Sequence, residues 1–141
     1  MSLVPSLFML DTNTASHVIK GNPPEVRHRL AGLPMERIVI SAVTQGELLY
    51  GSARKGHPAA LENLIREFLL RVTVLPWERD AAETYADLRA SCAASGITLG
   101  ALDMMIAAHA VATKATLVTH DKTFRLVPGN TLAIEDWVGA G

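Results

Sequence analysis

Four of the fourteen carboxylic acids in this 141-residue chain lie beside apolar segments, where an unpaired charge is costly. Asp11 follows residues 7–10, Glu47 precedes 48–50, Asp103 opens 104–108, and Asp121 lies two residues beyond 116–119. Carboxylates that converge repel one another, and a hard divalent cation such as Mg²⁺ or Mn²⁺ relieves that repulsion because it prefers oxygen ligands. If the fold brings these acids together, they predict a divalent metal site.

Each acid also has an ordinary explanation when it is considered alone. Asp11 has the residue type of a helix cap, and Asp103 in a first helical turn complements the helix dipole. Glu47 is compatible with a solvated helix position, and Asp121 with a simple turn residue. The joint pattern favours the metal site, because all four acids fall just past a strand end or in the early turns of a helix.

The elements that must position these acids alternate between short apolar strands and helices. Strands are predicted at 7–10, 38–40, 72–75, 116–119 and 132–134. Helices are predicted from Thr12 or Asn13 as the cap to 20, then over 25–33, 41–55, 59–71, 79–95 and 100–113. The last of these has no polar face and should be the most buried.

This alternation predicts an α/β fold with a parallel sheet covered on both faces. In such sheets the functional groups gather at the carboxyl ends of the strands, which is where the four acids are expected. We expect the whole chain to form one domain. Residues 1–6 precede the first strand, and we expect them to be flexible or to come partly from outside the natural sequence.

Composition excludes several other classes of protein. Hydrophobic residues make up 49% and charged residues 19%, which argues against disorder. The single cysteine, Cys92, excludes an internal disulfide framework and favours a reducing, cytoplasmic compartment. The longest apolar run, 104–112, is too short for a membrane span, and no signal peptide is recognisable. The net charge of −1 lacks the basic excess of most nucleic-acid binders, so a nucleic-acid function needs a local basic patch or a metal.

The sequence resembles the PIN domains, and within them the VapC-type toxins of bacterial toxin–antitoxin systems. The resemblance covers nearly the whole chain and lies in FMLDTN (8–13), ISAVTQGELLYG (40–51), LGALDMMIAAHA (99–110), LVTHDKTF (117–124), VPG (127–129) and IEDW (134–137). It implies a three-layer α/β/α PIN-like domain over 1–141, with a central parallel sheet of about five strands.

The same resemblance implies an endoribonuclease that depends on Mg²⁺ or Mn²⁺ and hydrolyses RNA, usually transfer or ribosomal RNA, with a metal-activated water. Asp11 and Asp103 match the expected metal ligands, and Glu47 and Asp121 would act directly or through water. Asp121 matches the position at which relatives vary between acid and asparagine. Thr12, Asn13 and Thr119 match polar residues that support the acids. The implied partners are a cognate antitoxin, which often places a basic side chain among the acids, and a second copy of the chain.

An acidic pocket repels RNA, so contacts to the RNA backbone must come from basic residues near it. Lys20, Arg27 and Arg29 lie near the first two helices, Arg54 and Lys55 end the third helix, and Lys122 and Arg125 follow the fourth strand. For each of these side chains, a purely solvated role is the ordinary alternative.

Three other functions compete with the toxin. A phosphoacceptor receiver domain usually has adjacent acids after its first strand and a lysine after its fifth, whereas Asp11 is followed by Thr12-Asn13 and no lysine follows 132–134. A non-catalytic RNA-binding or scaffold PIN domain has usually lost acids, and all four are present here. An RNA-processing or single-strand nuclease that is not a toxin would share the same fold and metal site.

Overall fold

A computed structural model describes residues 6–129 and 131–139 of the chain. Its strands are β1 (Phe8–Leu10), β2 (Ile38–Ser41), β3 (Thr73–Leu75), β4 (Thr116–Val118) and β5 (Ile134–Glu135). Its helices are α1 (Thr12–Lys20), α2 (Pro24–Ala31), α3 (Ala42–Ala53), α4 (Ala59–Arg71), α5 (Arg79–Ala94) and α6 (Ala101–Thr113). Short 3-10 helices, which the sequence did not predict, cover Met35–Arg37 and Lys122–Leu126.

The five strands form one parallel sheet in the order β3-β2-β1-β4-β5, which confirms the predicted α/β class. The sheet separates two apolar clusters, because alternate residues of a strand face opposite sides. Phe8 and Leu10 of β1 belong to the cluster beneath α1, α2 and α4. Met9 belongs to the cluster beneath α5 and α6. The result is the three-layer arrangement that the alternating elements predicted.

Helix α6 is largely buried, as its apolar sequence predicted. Met104 and residues 106–110 are buried, and they include His109. Among the described residues, no helix has both the length and the apolar character needed to cross a membrane.

Several predicted boundaries were wrong by one or two residues. The cap of α1 is Asp11 itself, and neither Thr12 nor Asn13 fills that position, because the Asp11 carboxylate accepts from the Thr14 backbone N–H. The fifth strand was predicted at 132–134 but lies at Ile134–Glu135, where it pairs with Leu117 and Val118 of β4. Residues 1–5 of the predicted extension lie outside the described residues, and Ser6 is exposed.

Candidate functional site

Asp11 lies at the junction of β1 and α1, at the carboxyl edge of the sheet. Its backbone N–H donates to the Val118 carbonyl at 3.1 Å, which continues the pairing of β1 with β4. Its Oδ1 atom accepts from the Thr14 N–H at 2.8 Å, and the residue is only 4% exposed. Asp11 is therefore a helix cap, as its ordinary explanation required. The cap role does not exclude Asp11 from the candidate metal site, because its charge still acts on Asp103.

Asp103 is the acid on which the charges of the other three act. It lies in the first turn of α6, half-buried. Burial raises the pKa of its carboxyl group, and the charges of Glu47, Asp121 and Asp11 raise it further. The other three predicted acids are thus near enough to Asp103 to act on its charge, although all four come from separate parts of the chain.

Glu47 is held by the neighbouring helix. The Thr12 hydroxyl donates to Glu47 Oε1 at 2.7 Å, and Thr44 Oγ1 lies 3.4 Å from Thr12 Oγ1. Thr44 is fully buried, so this polar contact joins the start of α1 to α3 at the edge of the core. The structure therefore places Thr12 as a direct support of Glu47.

Asp121 is the most open of the four acids. Its carboxylate accepts from the Thr123 N–H at 2.9 Å, and hydrogen bonds from Thr123 hold the pKa of Asp121 below its usual value. The buried Thr119 hydroxyl accepts from the Asp121 backbone N–H at 3.0 Å. Thr119 thus positions the turn that carries Asp121, while Asp121 caps the short 3-10 helix that follows.

The four acids do not form a complete set of metal ligands in this structure. Within residues 6–129 and 131–139, no three side chains of His, Cys, Asp or Glu are grouped closely enough to hold a metal ion. Mg²⁺ usually keeps several of its waters and takes only one or two carboxylates directly, so an open ring of acids suits it. The all-oxygen donor set and the mutual repulsion felt by Asp103 also fit a hard cation.

The predicted basic residues fall into two groups. Arg54 and Lys55 line a cleft that also contains Thr12, Asn13 and Glu47. Lys122 and Arg125 are exposed on the 3-10 helix that begins after Asp121. Asn13 is exposed and makes no hydrogen bond to the acids among the described residues, unlike Thr12.

Lys20, one of the basic residues named from the sequence, lines the same cleft, and so does Ser16, which sequence reasoning did not place. The signal was available, because residues 13, 16 and 20 follow helical spacing and share one face of α1. Thr14 was also missed. Its hydroxyl donates to the Val118 carbonyl at 3.1 Å and so helps to fix the turn after β1.

Two histidines lie within the motifs that carry the family resemblance, and both have structural surroundings. His109 is buried, and its Nδ1 lies 2.8 Å from Ser41 Oγ, so it is a hydrogen-bonded core residue. His120 is exposed, and its Nδ1 lies 2.9 Å from Asp136 Oδ2. Cys92 is buried in the core beneath α5 and α6.

Comparison with known proteins agrees with this fold. A profile described as "PIN domain" matches residues 8–130. Because that match spans most of the chain, the protein belongs to the PIN domain family.

Within that family it is a VapC-type protein. The "tRNA(fMet)-specific endonuclease VapC" of Salmonella typhimurium is 37% identical over 131 residues, which are 92% of this chain and 97% of that protein. The crystal structure of DNA-bound VapBC from the same organism matches with a TM-score of 0.86 at 36% identity, over 94% of this chain and 99% of that one. VapBC2 from Rickettsia felis, bound to a promoter DNA fragment, matches with a TM-score of 0.85 at 30% identity, over 93% and 98% of the two chains.

Proposed function

We propose that the protein is an endoribonuclease, dependent on Mg²⁺ or Mn²⁺, that acts as the toxin of a toxin–antitoxin pair. The observation that carries the proposal is the electrostatic convergence of Glu47, Asp121 and Asp11 on the half-buried Asp103. Four carboxylates at the carboxyl edge of a parallel sheet make a poor binding surface for RNA unless a cation neutralises them. The ribonuclease names of its relatives support the same reaction.

Asp11 and Asp103 would hold the cation, with Glu47 and Asp121 acting directly or through water. Bound Mg²⁺ or Mn²⁺ would lower the pKa of a water and offset the charge that develops on the phosphate. Glu47, which accepts a hydrogen bond from Thr12, would orient or deprotonate the attacking water. Attack by water breaks the bond between phosphorus and the 3′-oxygen, which takes up a proton. The products are a 5′-phosphate and a 3′-hydroxyl.

Transfer RNA is the first substrate to test. The Salmonella relative is a tRNA(fMet)-specific endonuclease, and 37% identity over nearly the full length of both chains supports a related RNA here. Ribosomal RNA is the second class. Total bacterial RNA contains both, so one reaction distinguishes them.

The proposed partners are an antitoxin and a second copy of the chain. The VapBC structures that this fold matches support the antitoxin. A basic side chain of the antitoxin inserted among the four acids would replace the cation and block the site. Both the RNA and such a partner imply action in the cytoplasm.

The test is cleavage of total bacterial RNA by the purified, partner-free protein, with Mg²⁺, Mn²⁺ or EDTA, followed by sequencing of the ends. Asp11→Asn is the matched variant. Asparagine caps helices as well as aspartate does, so α1 keeps its cap while one metal-binding charge is lost.

We expect cutting at discrete sites that EDTA and Asp11→Asn both abolish, with 5′-phosphate and 3′-hydroxyl ends. Ends with 2′,3′-cyclic phosphate would contradict the mechanism, since they require attack by the ribose 2′-hydroxyl. A folded, metal-loaded protein that cuts no RNA would favour the scaffold alternative.

A further inference from the structure

A narrow cleft of about 180 Å³ leads away from the acidic site between α1, α3 and α4. At its acidic end the cleft is lined by Thr12, the first residue of α1, and by Glu47, near the middle of α3. Lys20 lies eight residues after Thr12 and Arg54 seven after Glu47, and a helix rises 1.5 Å per residue, so both cations are about 10–12 Å further along. Because α1 and α3 both follow parallel strands, their carboxyl ends lie at the same end of the cleft.

Three cations, Lys20, Arg54 and Lys55, therefore meet at the end of the cleft remote from the acids. All three are exposed, and none forms an ion pair with a described residue. Cations at helix carboxyl ends also complement the helix dipoles, which is a sufficient reason for any one of them. The dipole does not explain why three cations converge on one cleft that continues into the acidic site.

Gly51 makes part of the wall of this cleft, inside α3. Glycine within a helix lowers stability relative to most other residues. A Cβ built at Gly51 would meet nothing within 4 Å, so no close packing in the protein requires glycine there. The missing side chain leaves open space for a ligand beside Glu47.

Tyr50 adds a flat apolar surface next to the cleft. It lies one turn after Glu47 and one turn before Arg54 on α3, and it is 66% exposed. Grooves that bind single-stranded nucleic acids combine cations along the backbone with aromatic rings on which bases stack. The row Glu47, Tyr50, Arg54 leads from the acids towards the cations and has both of these features.

We infer that this cleft binds the RNA strand next to the scissile phosphate, as a single strand. Lys20, Arg54 and Lys55 contact its phosphates, Gly51 gives its backbone room, and Tyr50 stacks on one of its bases. This assignment rests on the proposed ribonuclease function. Among the basic residues named from the sequence, it makes Lys20, Arg54 and Lys55 the backbone contacts in preference to Lys122 and Arg125.

The first test measures binding of a single-stranded RNA oligonucleotide in Mg²⁺, with Asp11→Asn as the parent so that RNA is not cut. Lys20→Gln, Arg54→Gln and Lys55→Gln should each weaken binding about three- to tenfold, and each should reduce the slope of log K against log[salt] by about 0.7. Lys114→Gln is the matched control, since Lys114 is an exposed cation at the opposite end of α6 from Asp103. Three variants that bind like Lys114→Gln would overturn the assignment.

The second test separates blockage of the cleft from loss of charge. Gly51→Gln and Gly46→Gln both replace an unobstructed glycine of α3 with a better helix former, and Gly46 does not line the cleft. We expect Tm to rise in both variants. RNA affinity should fall about tenfold or more in Gly51→Gln alone, and equal affinity in the two would overturn the cleft as the binding site.

Wild-type cleavage distinguishes failure of this inference from failure of the ribonuclease proposal. The four cleft substitutions are therefore also made in the wild-type chain. If the wild type cuts RNA and these four variants cut it equally well, the cleft assignment is wrong and the ribonuclease stands. If the wild type cuts nothing in any metal, the ribonuclease proposal fails first.

Tyr50→Leu should lower affinity for single-stranded RNA more than for a duplex, and an equal loss for the two would contradict stacking.

Discussion

The Thr12 hydroxyl donates a 2.7 Å hydrogen bond to Glu47 Oε1, and it joins two residues that are 35 positions apart. Thr12 is the first residue of α1, and Glu47 lies near the middle of α3. The strands before these helices, β1 and β2, are neighbours in the sheet, which is why the two side chains meet. The bond holds one carboxylate oxygen of Glu47 in place beside the other acids.

Thr12→Val should impair activity without unfolding the protein. Valine keeps the shape of threonine and removes only the hydroxyl, so Glu47 loses its fixed orientation. Partners that orient metal-site ligands typically contribute 10–100-fold to metal affinity or activity, and we expect a loss of about that size in RNA cleavage. The measurement is the cleavage rate over a Mg²⁺ titration. Thr12→Ser, which retains the hydroxyl, should recover most of the rate, and a Ser variant as slow as Val would contradict this role.

Asp103→Asn should uncouple folding from metal binding. Burial and three neighbouring acids raise the pKa of Asp103, so its charge is unfavourable in the metal-free protein and the neutral variant should have an equal or higher Tm. A Mg²⁺ concentration about 100 times Kd should stabilise the wild type by about 2.7 kcal/mol, and Asp103→Asn should lose most of that gain. Thermal melts with Mg²⁺ and with EDTA measure both effects.

Asp87→Asn is the control for that experiment, because Asp87 is an exposed acid on α5, away from the site. It should keep the full rise of Tm in Mg²⁺. A full rise in Asp103→Asn as well would remove Asp103 from the metal ligands.

Most of the fold was predictable because local patterns agree with the tertiary structure. The apolar runs at 38–40 and 116–119 became central strands, and the apolar helix after Gly100 became the most buried one. The convergence of the four acids followed from one rule, that parallel strands end at a common edge. The fifth strand was misplaced because its position is set by pairing with β4, which the apolar pattern of residues 132–134 does not encode.

The resemblance named Thr12 and Thr119 among the polar residues that support the acids, but it did not show which acid each one contacts. Thr12 reaches Glu47 across two helices, and the distance depends on how α1 and α3 pack. The cleft with Lys20 and Arg54 is likewise a product of helix packing, since its walls come from three helices. Composition and spacing named the candidate acids. The shape and lining of the cleft between the helices could be read only from the folded chain.

Trp137 should be a major contributor to stability although it lies near the end of the chain. It is 1% exposed, its ring packs 6.0 Å from that of Phe8, and its Nε1 donates to Glu135 Oε1 at 2.9 Å. Trp137→Ala should lower the free energy of unfolding by about 3–5 kcal/mol, as truncation of a buried aromatic does. Chemical denaturation measures the loss. Leu70→Ala, at a side chain 87% exposed, should change it by less than about 0.5 kcal/mol.

His109 should make the protein less stable in mild acid. Burial lowers the pKa of His109 below its usual 6.5, and the charge of Asp80 and the hydrogen bond to the Pro76 backbone offset only part of that effect. As the pH falls through about 6.5, the unfolded chain binds a proton that the folded chain does not, so the free energy of unfolding decreases by up to about 1.4 kcal/mol per pH unit. The full contribution is present above that pH.

Urea unfolding of the wild type and His109→Gln at about pH 7.5 and 5.5 isolates this contribution. The variant has its own stability cost, because it loses the contact of His109 with Ser41, but that cost does not depend on the titration of an imidazole. Glu62 and Asp121 have lowered pKa values and so lose their stabilising contribution only in stronger acid. We therefore expect a steeper loss of stability in the wild type than in the variant over this range. Equal losses would show that His109 does not titrate differently in the folded and unfolded chains.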